Sequence, residues 1–103
     1  MVVNGPAARP AMRTGVEPSR GRYERLANAF RDAVTDDQRA AIARELVAAQ
    51  RSSEALERFY ATNAMARIDP GYFSDALRSA SRDADPHVSD LARRALAKLG
   101  TPR

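Results

Sequence analysis

The chain has no cysteine, no tryptophan, only six other aromatic residues and no long apolar run. Without cysteine it can form neither a disulfide framework nor a thiolate metal site, and its composition fits a reducing compartment such as the cytoplasm. Its apolar stretches of a few residues are far short of the roughly 20 needed to cross a bilayer. The opening "MVVNGPAARPAMRTG" lacks a basic start followed by an apolar core of about 7–15 residues, so it does not read as a Sec signal peptide. The single histidine, His87, has no cysteine or second histidine with which to hold a metal. No glycine-rich phosphate loop, nucleophile elbow or HExxH is present. These absences point away from an enzyme: no catalytic residue, cofactor or metal is expected. Strand formers are scarce as well, with two isoleucines against abundant alanine and arginine, which favours helix.

What is present amounts to one domain's worth of chain, 103 residues, of which 44% are hydrophobic and 29% charged. The net charge of +4 is unevenly placed. Residues 1–22 hold Arg9, Arg13, Arg20 and Arg22 against Glu17, while the remaining 81 residues are nearly balanced, at +1. The same segment carries Pro6, Pro10 and Pro18, three of the five glycines and almost no apolar periodicity. Residues 1–21 therefore read as a disordered basic leader, and 22–100 as a helical domain. The leader could serve as a sorting signal or a nucleic-acid-binding arm; a plain unstructured extension is the simpler reading.

From Tyr23 onward, apolar residues recur at three- and four-residue steps. Tyr23, Leu26, Ala27, Phe30, Ala33 and Val34 predict a first helix over 22–34. "TDDQ" supplies an N-cap, Thr35, with Gln38 at capping-box spacing, and a second helix over 36–50 turns Ile42, Leu46 and Ala49 inward. "RSSE" breaks the chain before a third helix, 54–68, that is apolar on most sides and so is expected to have several neighbours. Asp69-Pro70 and Asp85-Pro86 then start a fourth helix over 70–82, with Tyr72, Phe73, Ala76, Leu77 and Ala80 inward, and a fifth over 86–99, with Val88, Leu91, Ala92, Ala95, Leu96 and Leu99 inward. Gly100 is expected to stop the last helix in a left-handed conformation.

The chain also repeats itself. "ATNAMARI" at 61–68 and "ARRALAKL" at 92–99 are variants of one helical phrase. At an offset of 31, Leu46 falls on Leu77, Ala49 on Ala80, Ala61 on Ala92, Ala64 on Ala95 and Met65 on Leu96. One further shift places Phe30 under Ala61, making the first helix a half-repeat that caps the start. Helix pairs at a period in the thirties mark α-solenoids. The run "RDADPHVSDLARRALAKLG" resembles a HEAT repeat, with Asp83, Pro86, Val88, Ala92, Ala95, Leu96, Leu99 and Gly100 at the family's characteristic places. The resemblance implies an all-α fold of five helices, in which two antiparallel hairpins stack as a short HEAT-like solenoid behind an N-terminal capping helix. It is strongest over 70–100. The family commonly has an arginine after the Val, pairing with the turn Asp of an adjacent unit. This chain has Ser89 there, and its upstream turn is "SSEA", two departures that put the inter-repeat Asp–Arg ladder in doubt.

In solenoids of this type the second helices line the concave face. The resemblance therefore puts Thr62, Asn63, Arg93 and Arg94 toward a ligand. Phe59 falls on Asp90, an outward position, and is either an exposed aromatic anchor or covered by the first helix. Asp83 and Asp85 could be taken as an acid–base pair, but turn and capping roles account for both. The expected function is a non-enzymatic module that binds a protein partner, with self-association plausible at the helix-one side, which is less obviously sealed than the helix-five end. One alternative is nucleic-acid binding through Arg58, Arg93, Arg94 and the leader arginines, disfavoured by the nearly neutral body. Another is a closed helical bundle of the secretion-chaperone or effector kind, in which the first and fifth helices would touch.

Overall fold

The computed structural model describes residues 16–100, with side chains from Arg20 onward. The leader expected over 1–21 lies outside the described residues as far as residue 15. Five helices and no strand are found among those described: α1 Val16–Asp32, α2 Asp36–Gln50, α3 Ala55–Ile68, α4 Ser74–Ala80 and α5 Pro86–Gly100.

Each departure from the expected boundaries has a local cause. α1 starts six residues earlier than the apolar stripe suggested, because Pro18 falls in the first turn, where no backbone N–H is required. It also ends earlier, at Asp32. The Gln38 side-chain oxygen accepts the N–H groups of both Val34 and Thr35, and Thr35 Oγ1 accepts the Gln38 N–H at 3.1 Å. The expected capping box of α2 thus recruits the chain that would have prolonged α1. Val34, expected in the core stripe, is 80% exposed. α4 is shorter than 70–82. Asp69 and Pro70 open a turn, in which Asp69 Oδ1 accepts the Tyr72 N–H, and regular helix begins only at Ser74, after the poor helix former Gly71. Gly100 is the last residue of α5 and not a left-handed stop.

α3 is the hub. It packs on α1, α2 and α5 and touches α4, while α1 and α5 share no extended contact. This explains its near-absence of amphipathicity: Ala61, Thr62, Ala64 and Met65, at successive angles around the helix, are all buried. Leu46, Met65, Leu77 and Val88 are fully buried. Small alanines at 61 and 92, also fully buried, let the helices approach closely, and the larger side chains fill the layer between them. Tyr72 and Leu99, expected inward, are 49% and 44% exposed, and Leu56 of α3 is 41% exposed. The Tyr72 ring still packs edge-on against Phe30 of α1, with centroids 5.1 Å apart, and Phe73 joins the cluster.

Polar contacts tie the layers together. Gln50, 7% exposed, donates from Nε2 to the Ala76 carbonyl at 2.6 Å and so links α2 to α4. Tyr23 of α1 donates its hydroxyl to Glu57 of α3 at 2.6 Å. Burial first, then this hydrogen bond, pushes the phenol well above its ordinary range. No described helix is long and apolar enough to cross a membrane.

Candidate functional site

The candidate surface is built on α3. Between its buried flanks it presents Leu56, Phe59, Asn63 and Arg67 at three- and four-residue steps, one stripe along the helix. Phe59 is half-buried and stands between two hollows. One, of about 270 Å³, lies between α1 and α3 and is lined by Arg20, Tyr23, Glu24, Tyr60, Asn63 and Arg67 among others. Arg67 meets Glu24 there at 3.4 Å, an exposed pair of small energetic weight. The second, of about 390 Å³, lies between the N-terminal ends of α3 and α5 and is lined by Ala55, Leu56, Phe59, Asp85 and His87. Its floor is aliphatic and aromatic. Asp85 stands at its edge with Oδ1 accepting the His87 and Val88 N–H groups, the capping role expected of it.

The five residues singled out from the sequence separate into three groups. Phe59 and Asn63 come together beside the first hollow, both half-buried. Arg93 and Arg94 are exposed on α5 and line neither hollow; Arg93 pairs with Asp90 at 3.1 Å. Thr62 is fully buried, with Oγ1 donating to the Arg58 carbonyl at 2.7 Å, and no partner can reach it. The error has a physical source. Thr62 and Arg93 occupy the same repeat position, but α3 has a neighbour on each side, whereas α5 is the last described helix. Ser89, which stands where the HEAT pattern has an arginine, is also buried, and its hydroxyl donates to the Pro86 carbonyl.

Sequence reasoning missed a bidentate ion pair that ties α3 to the turn before α5. Arg58 Nε donates to Asp83 Oδ2 at 2.8 Å and its Nη2 to Oδ1 at 3.1 Å, a bidentate grip, while Nη1 donates to the Ser52 carbonyl at 3.0 Å. One guanidinium therefore binds the turn before α3 and the turn before α5 together. Both side chains are largely covered, at 20% and 9% exposure. The hydrogen bonds from Arg58 hold the Asp83 carboxyl below the usual carboxylate range, against the opposing effect of burial. The signal was legible: Arg58 falls on Ser89 at the offset of 31, so the arginine absent after Val88 stands one unit earlier. Arg58, considered for a nucleic-acid contact, is committed to this structural role.

No model of a known family matches the sequence, and neither a curated protein nor a solved structure matches the chain.

Proposed function

We propose that this chain is a non-enzymatic protein-interaction module, two α-helical hairpins stacked in the manner of HEAT repeats behind a capping helix, α1. The stacking is supported by matched burial at the offset of 31: Leu46 and Leu77 are both fully buried, as are Ala61 and Ala92, and Ala49 and Ala80 are both in the core. It is further supported by the packing of α3 against both α1 and α5 without extended contact between those two, and by the Arg58–Asp83 grip between successive turns.

The observation that carries the functional reading is Phe59. An aromatic side chain left half-covered between two hollows, on a helix whose other faces are packed, is the anatomy of a binding hot spot. Nucleic-acid binding is the weaker reading, since Arg58 is engaged with Asp83, Arg93 is paired with Asp90 and the surface has mixed sign. Panning a random peptide display library against the full chain tests the proposal. Peptides enriched by the wild type and lost with Phe59→Ala, or with Asn63→Arg as a variant that leaves the core intact, are the expected result. Enrichment indifferent to both changes, or no enrichment together with salt-dependent binding of duplex DNA, would overturn it.

A further inference from the structure

We propose that the chain pairs with a second copy of itself through the outer face of α1, the two helices lying antiparallel across a two-fold axis. The face is Arg25, Asn28, Ala29 and Asp32, all exposed, at three- and four-residue steps on the side of α1 away from the buried Tyr23, Ala27 and Phe30. It is separate from the α3 stripe, so the proposal stands or falls independently of the peptide-binding reading.

The order of charge along this face selects the occupant. Arg25 and Asp32 are seven residues apart, about 10.5 Å along the axis, too far to pair within one helix. Neither takes part in an ion pair among the described residues. The positions three and four residues from Arg25 are Gly21, Arg22, Asn28 and Ala29, none of them acidic, and the adjacent Glu24 is engaged by Arg67. Asp32 is the last residue of α1, where the helix carbonyls disfavour a bare carboxylate. Arg39, beyond that end, pairs with Asp36 and donates to the Ala33 carbonyl, and Arg31 lies about 100° away around the helix.

A face that runs from a base through small residues to an acid complements a copy running the other way. With Asn28 of one copy opposite Ala29 of the other, each Arg25 meets the other copy's Asp32, and one two-fold axis makes two equal ion pairs. A parallel pairing would set arginine on arginine and aspartate on aspartate. Asn28 and Ala29 are short enough for the axes to approach to about 8–10 Å. The groove of about 460 Å³ alongside, between α1 and α2, is lined mainly by Ala29, Ala33, Ala41 and Ile42 and adds apolar surface to the contact. Because the face carries one charge of each sign, it offers no preference to a polyanion or a polycation, and complementarity fixes register more than it adds affinity.

Sedimentation velocity of the full chain over a concentration series is the test. The sedimentation coefficient is expected to rise with concentration, and less so as ionic strength rises. Arg25→Asp and Asp32→Arg, both at exposed positions outside the core, each turn two attractions into two repulsions and are expected to weaken association about tenfold. An equimolar mixture of these two variants is expected to regain it, since one then presents two acids and the other two bases. Arg25→Asp combined with Asp32→Arg, which reverses the order of charge, is expected to regain it as well. A wild type that stays monomeric across the series, association indifferent to both single variants, or variants that mixing does not rescue would overturn the proposal. Association lost with Phe59→Ala and kept with Arg25→Asp would move the contact to α3 and likewise overturn it.

Discussion

At the scale of single residues, Arg58 and Asp83 dominate the polar energetics. Each has its partner's hydrogen bonds and little water, so removing one leaves the other buried and unmatched. Arg58→Ala and Asp83→Ala are each expected to cost about 2–4 kcal/mol in urea denaturation. The double variant should cost well under the sum, a coupling of about 2 kcal/mol. The pH dependence follows from the lowered Asp83 value. A carboxyl whose folded pKa lies below its unfolded one contributes stability that is complete above the ordinary carboxylate range, near about 4, and is lost as pH falls through the folded value. Acid unfolding should therefore be steeper below about pH 4 in the wild type than in Asp83→Asn. Thr62→Arg separates two roles at one repeat position: it should destabilise by about 3 kcal/mol or more by forcing a charge into a sealed site, whereas the exposed Arg93→Thr should shift stability by less than about 0.5 kcal/mol. Identity at a repeat position was readable from the sequence. Burial was not, because it depends on whether another helix packs against that face.

At the scale of elements, the sequence was most informative where a local chemical device sets a boundary. The Thr35–Gln38 capping box and Pro86 placed the starts of α2 and α5 correctly, since each acts within one turn. Periodicity failed where two local demands competed. Val34 fits the apolar stripe of α1, but its N–H is taken by Gln38, and the backbone requirement of the cap outweighs one exposed aliphatic side chain. α4 was overestimated for a related reason: a helix of seven residues has little intrinsic stability and is held by its neighbours. Gln50 is one of those holds, through the Ala76 carbonyl. Gln50→Ala should cost about 1 kcal/mol, and amide exchange should accelerate in α4 more than in α3. Equal acceleration across both helices would mean that α4 and α3 open together and that the Gln50 bond has no local role.

At the scale of the whole molecule, the all-helical character and the five helices among the described residues were legible in the sequence, because apolar residues recur at three- and four-residue steps between capping and proline signals. The surface was less legible. The half-buried state of Phe59 and the hollow beside Leu56 arise from the spacing between α1, α3 and α5, a quantity that no single helix encodes. That spacing in turn requires α3 to stand between α1 and α5. The chain has no native cysteine, so spin labels can be placed at Asn28→Cys and Asp90→Cys, the positions matching Phe59 on the two flanking helices. Two interhelical steps of about 10 Å predict a label separation near 20 Å by electron–electron double resonance. A separation of about 12 Å or less would place α1 directly against α5 and contradict the stacked arrangement.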